Sequence, residues 1–282
     1  MPSLDISRSR FRLADDHLIV LCELAAGNEV PEDLATARKE LVDSGLINPG
    51  GELVHALLPL LKTVLNPGVV ITLEAGGRQG ELRHGMLIGE DHVVAHEAWP
   101  GTDEAEYSLV QPKMLVWKLA DMVNLQQSPA SHGTALSLLD TTVGTVEAGL
   151  AGLDGASRAR SGEEERALVH RSLTTGGTLA EPSATHLAEL ICELRSSWRM
   201  TAAWRGTSGE QPGVSARGFA VWDCGPLGYW LRELPEEPVP AERITSTSPF
   251  RLVRVDAKTI WTRITELLPD QSEIRPAASP GA

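Results

Sequence analysis

The stretch LVHALLPLLKTVLNP (Leu53–Pro67) running into GVVITLEAG (Gly68–Gly76) sets the reading of the whole chain, because its pattern comes twice. It reads as a helix followed by a strand, and HGMLIGEDHVVAHEA (His84–Ala98), EAEYSLVQ (Glu104–Gln111) and PKMLVWKLADMV (Pro112–Val123) complete the order helix, strand, strand, strand, helix. Residues 184–268 repeat that order, from ATHLAELICELRS (Ala184–Ser196) and WRMTAAWRG (Trp198–Gly206) through VSARGFAVWDCG (Val214–Gly225) and GYWLREL (Gly228–Leu234) to FRLVRVDAKTIWTRITELLP (Phe250–Pro269). The closing helices agree in character, with Lys113 four residues before Trp117 and Lys258 three before Trp261. Duplicated halves pack about a quasi-two-fold axis, which builds a scaffold or a binding surface more readily than a catalytic pocket.

The chain has 282 residues, of which 42% are hydrophobic, enough to bury a full core. No run of 18 apolar residues suggests a membrane span, and the start, MPSLDISRSRFRLADD, lacks the apolar core of a signal peptide. Cys22, Cys192 and Cys224 are odd in number and far apart, which fits a reducing cytoplasm better than a disulfide framework or a zinc ribbon. The formal charge is −13, and 20 of the 25 basic residues are arginine. An acidic chain repels phosphate backbones, so nucleic acid is not the expected partner.

Asp15–Gly27 reads as a short helix capped by Asp15 or Asp16 and ended by Gly27, and Pro31 opens a second helix that closes at Gly45. Pro49-Gly50-Gly51 then marks a tight hairpin. Two helices and a turn of this kind resemble a winged helix-turn-helix, the alternative function being a transcriptional regulator. Against it, the stretch Glu29–Ser44 carries Glu29, Glu32, Asp33, Glu40 and Asp43 against Arg38 and Lys39, so it would enter a groove with net negative charge.

The chain divides into an N-terminal half (1–125, helical bundle plus sheet), a helical middle (126–183), a C-terminal half (184–270, sheet plus helix) and a disordered tail (271–282). In the middle, Leu136, Leu138, Leu139, Val143, Val146 and Leu150 suggest one helix, and Arg166, Leu168, Val169 and Leu173 another. Ser157–Glu165 reads as a mobile loop and Pro235–Pro240 as an extended acidic one.

Phosphate-loop, dinucleotide, zincin and nucleophile-elbow motifs are all missing, so neither a catalytic residue nor a cofactor is expected. His92 and His96, four apart on a strand, are the nearest approach to a metal pair, but no third ligand lies at a fixed offset and no metal is assigned. Five of the seven tryptophans lie in the second half. Strand alternation sets Trp198, Met200, Ala202 and Trp204 against Arg199, Thr201 and Arg205. Aromatic and arginine residues together mark protein interfaces, so the expected partner-binding residues are Trp204, Arg205, Arg217, Phe219, Trp230 and Arg232.

The order of elements and several stretches resemble the EspG family, cytosolic chaperones of the mycobacterial ESX (type VII) secretion systems. The resemblance rests on the helix Leu13–Leu24 before KELVDSGLINPGGELVHALLPLLKTVLNP, on LRHGMLIGEDHVVAHEA, on SWRMTAAWRG with VSARGFAVWDCGPLGYWL, and on FRLVRVDAKTIWTRITELLP. It covers most of residues 10–125 and 184–269, while the Trp-rich second half and the Gly/Ser middle depart from it. It implies an α+β fold with a central antiparallel sheet flanked by two helical bundles. It also implies a non-enzymatic, cytoplasmic role, binding a PE–PPE-like or other helical secretion substrate and keeping it soluble, as a monomer or homodimer. If Arg199, Arg205, Arg217 and Arg232 share one open sheet face, reversing their charges is expected to weaken capture of such a partner without lowering the melting temperature; unchanged capture would remove them from the interface.

Overall fold

Alternation of buried and outward side chains makes strands of the chain's first residues. A computed structural model describes every residue except 6, 78–79, 128–135, 157–158, 176–178, 209–210, 236–238, 271 and 275–282. After β1 (Ser3–Asp5) comes β2 (Arg10–Ala14), in which Phe11 and Leu13 are buried while Arg10 and Arg12 take the other face. In α1 (Asp15–Ala26), His17 Nδ1 accepts the Ala14 amide at 3.0 Å, which leaves the Nε2 proton to donate to Glu40 at 2.8 Å. One ring thus caps α1 and ties it to α2 (Ala35–Asp43). Gly27 (φ 76°) ends α1 in the left-handed region, where a side chain would be strained. The Pro-Gly-Gly turn closes a single bridge between Ile47 and Leu53.

The first half continues through α3 (Leu58–Leu65), β3 (Val69–Gly77), β4 (Gly80–Ile88), β5 (Val93–Ala98), β6 (Glu104–Val110) and α4 (Leu115–Met122). The second runs through β7 (Leu138–Thr142), α5 (Val143–Gly155), α6 (Gly162–Thr174), α7 (Ser183–Cys192), β8 (Ser196–Ser208), β9 (Gln211–Asp223), β10 (Tyr229–Arg232), β11 (Pro249–Val255) and α8 (Ala257–Leu267). Each half therefore has four strands between its helices, not three: Gly89–His92 turns inside the His84–Ala98 stretch of the first, and Pro249–Val255 forms a strand of its own before α8 in the second. Leu136–Leu150 is not one helix either. The β-branched Thr141-Thr142 ends a strand, and the Thr142 hydroxyl accepts the Thr145 amide to start α5. Within the loop expected at Ser157–Glu165, α6 already begins at Gly162, capped by Ser161 and with Glu163, Glu164 and Glu165 in the first turn, where the helix dipole favours acids. Residues 157–158 of that loop, and 236–238 of the acidic one, lie outside the described residues. So does most of the tail, although Ile274 packs on the core.

The eleven strands among the described residues join one antiparallel sheet in the order β1-β2-β6-β5-β4-β3-β8-β9-β10-β11-β7. Without β1 that order reads the same from either end, strand for strand. Register shows which face each helix covers. Val69, Ile71, Leu73, Met86, Ala95, Met200, Ala202 and Val221 point to one face, under α4 and α8. On the opposite face, Phe11, Leu13, Val94 and Tyr107 pack beneath α1–α3, while Trp222, Trp230, Phe250 and Leu252 pack beneath α5–α7. The two three-helix bundles thus share one face at its two ends. Trp230, fully buried, stacks edge-on to His186 at 5.1 Å and donates its indole N–H to Leu227 O. Trp230→Ala is expected to destabilise the protein by about 3–5 kcal/mol in denaturant titration, since that space cannot collapse.

Candidate partner-binding surface

Between the bundles a strip of sheet has no helix over it among the described residues. Its floor is made by the alternate residues that face away from α4 and α8: Thr72 and Glu74 of β3, Gly85 of β4, Arg199, Thr201, Ala203 and Arg205 of β8, and Ala216 and Gly218 of β9. Small residues keep it shallow. Gly85 is fixed by crowding, because a Cβ there would meet the Ile71 carbonyl oxygen at 2.8 Å. Strands β8 and β9 pair along thirteen residues each, but β3 meets β8 only from Ser196 to Trp204. The hairpin end beyond Trp204 therefore projects past the sheet by four residues on each strand, roughly 13 Å. Val214, 77% exposed, sits there opposite Arg205 and on the same face.

The strip is positively charged on an acidic chain. Glu74 lies 3.8 Å from Arg83, but Arg199 and Arg205 have no ion-pair partner among the described residues. Arg232, two strands from Arg199 on the same face, stacks over the Phe250 ring at 4.4 Å. Burial, and secondarily the Arg199 charge, lower the pKa of its guanidinium from the usual value.

Three of the four arginines thus share the open face, and Arg217 does not. It points to the other face, where its guanidinium lies 5.2 Å from the Trp204 ring, donates to the carbonyls of Glu266 (3.2 Å) and Leu268 (3.4 Å), and pairs with Glu273. Arg217 holds the C-terminal end of α8 on the sheet, where a helix favours a cation. Trp204 and Phe219 belong to the core beneath α4 and α8, and Trp230 to the core beneath the second bundle. The reason is coverage: each lies on a strand face that a helix closes. Of the six residues expected at an interface, Arg205 and Arg232 are on the open face. Thr72 and Glu74 in the floor, and Arg83 beside them, carry no signal in their own stretch of sequence, because their exposure depends on where the bundles stop.

His92 lies in the turn before β5, beside α3, whereas His96 is within β5, its ring 5.0 Å from Tyr107. No group of three or more potential metal ligands occurs among the described residues. Burial raises the pKa of all three cysteine thiols, that of Cys192 to about 11, so none is a thiolate at neutral pH. The helix that would have read DNA, α2, keeps Asp43 exposed, as are Glu32 and Asp33 in the turn that leads into it.

The architecture is that of an α+β protein with a single antiparallel sheet, two three-helix bundles on one face and a helix pair on the other. A solved structure with this fold is the type VII secretion system chaperone EspG5 of Mycobacterium tuberculosis, determined in complex with a PE25–PPE41 dimer. The TM-score is 0.54 at 10% identity, over 94% of this chain and 100% of that one. No family model and no curated protein matches the sequence. None of the helices described is long and apolar enough to cross a membrane.

Two outcomes follow from this geometry. Arg217→Glu is expected to cost about 2 kcal/mol of stability, whereas Arg205→Glu leaves the melting temperature unchanged. Burial also lowers the pKa values of His84, His96 and His186. Below about pH 6.5 the unfolded chain then binds protons that the folded one refuses, so stability falls as pH drops from 7 towards 5. Urea titrations across that range should show the loss, and His186→Leu should make it shallower.

Proposed function

We propose that this chain is a non-enzymatic chaperone or adaptor of the EspG type, which binds a PE–PPE-like helical secretion substrate in the cytosol and keeps it soluble. The observation that carries the reading is the likeness of nearly the whole chain to a chaperone solved with a PE–PPE dimer bound. The open strip supports it independently. Its floor can accept the side of a helix, Val214 offers apolar contact, and Arg199, Arg205 and Arg232 orient an acidic partner and speed its encounter. The buried Trp204, Phe219 and Trp230 act beneath that surface by keeping the strands in place.

Co-expression with a PE–PPE pair from the same genome tests this reading. The expected result is a stoichiometric complex on size exclusion, weakened about tenfold when both Arg199 and Arg205 become Glu, while the melting temperature holds. A PE–PPE pair that stays insoluble, or that elutes apart from the chain, sinks the proposal.

A further inference from the structure

The paired lysine–tryptophan spacings of the two closing helices take no part in the surface just described. They lie on the opposite face of the sheet, where α4 and α8 pack side by side. Trp117 and Trp261 meet there edge to face, ring centroids 4.6 Å apart. Trp117 is 60% exposed and Met114, one turn before it, is exposed as well. A solvated tryptophan contributes little to the core it sits on. Lys113 shares a helical face with Trp117, and Lys258 with Trp261. Both lysines are exposed, and neither is ion-paired among the described residues; Lys118, by contrast, is committed to Glu97 at 2.5 Å. Lys258 lies in the first turn of α8, and Lys113 in the turn that leads into α4. The helix dipole disfavours a cation at both places, and only Lys258 has a nearby opposite charge, the Asp256 carboxylate that caps α8.

We infer that this aromatic patch with its two lysines is a second docking surface, for an acidic amphipathic helix of another protein. Apolar side chains of that helix lie across the Trp117–Trp261 pair and its carboxylates reach Lys113 and Lys258. Charge argues for this occupant. A second copy of the chain docked through the same face would set lysine against lysine. The inference does not depend on the proposed client.

The probe is a fluorescein-labelled helical peptide of about 16 residues, with leucines at i, i+3, i+4 and i+7 and glutamates on both flanks. A second peptide carries lysines in place of the glutamates. Fluorescence anisotropy on the full chain is expected to show saturable binding of the acidic peptide alone. The double variant Lys113→Glu/Lys258→Glu should weaken that binding about tenfold at low salt. Trp117→Ala/Trp261→Ala should abolish it. Because the lysines oppose the helix dipole, the charge variant should melt no lower than the wild type, so the result holds even if the tryptophan variant fails to fold. No binding of the acidic peptide, equal binding of both peptides, or unchanged binding by the charge variant overturns the inference. Preferential binding to phosphatidylserine vesicles overturns it too, in favour of a membrane surface.

Discussion

Nine consecutive residue pairs between β3 and β8, from Val69↔Trp204 to Gly77↔Ser196, hold the two halves of the chain in one sheet. Each half supplies its own strands, bundle and closing helix, but neither face is complete without the seam. On one side it sets Ile71 and Leu73 beside Met200 and Ala202, and α4 and α8 close over all four. On the other it sets Thr72 and Glu74 beside Thr201 and Arg199, and no helix among the described residues closes over them. A slip of one residue along the seam would exchange the two sets, putting arginine beneath the helices and methionine in water. The core and the open strip are therefore consequences of one register.

That register also explains why the two faces differ in chemistry. Two helices suffice to cover the middle of one face, and the bundles reach only the ends of the other. The middle strip can remain bare because its residues are small or charged: Ala203, Ala216 and Gly218 have little apolar surface to hide, and Arg199 and Arg205 prefer water. A bare strip of leucine or valine at that place would recruit any apolar surface, whereas this one presents charge and little apolar area.

Much of this was readable beforehand. The caps at Gly27 and Gly45 and the strand alternation at Trp198–Arg205 rest on local rules that the structure obeys. Arg199 and Arg205 could be placed opposite Trp198 and Trp204 from period two alone. What could not be read was any property set by distant contacts. Arg217 looks like a surface arginine until Glu266, Leu268 and Glu273 arrive from the end of α8, some fifty residues later. Trp230 sits at a strand start, a position that suggests exposure, until α7 brings His186 onto its ring. The strand at Leu138–Thr142 was missed because its leucines also fit helical spacing, and only pairing with β11 decides between the two. Trp117 had the opposite fate, with a sequence context that suits a core and a place in solvent.

The two ends of the sheet carry a consequence of their own. An eleven-strand sheet offers two rims of unsatisfied backbone, each able to template another chain. Here one rim is β1, three residues long and ending in Asp5; the other is β7, five residues long, with Asp140 at its centre and 3.5 Å from Arg251. Short, charged rims give an incoming strand too few hydrogen bonds to hold and a carboxylate to bury. A sheet this wide is thus a poor seed for fibrils.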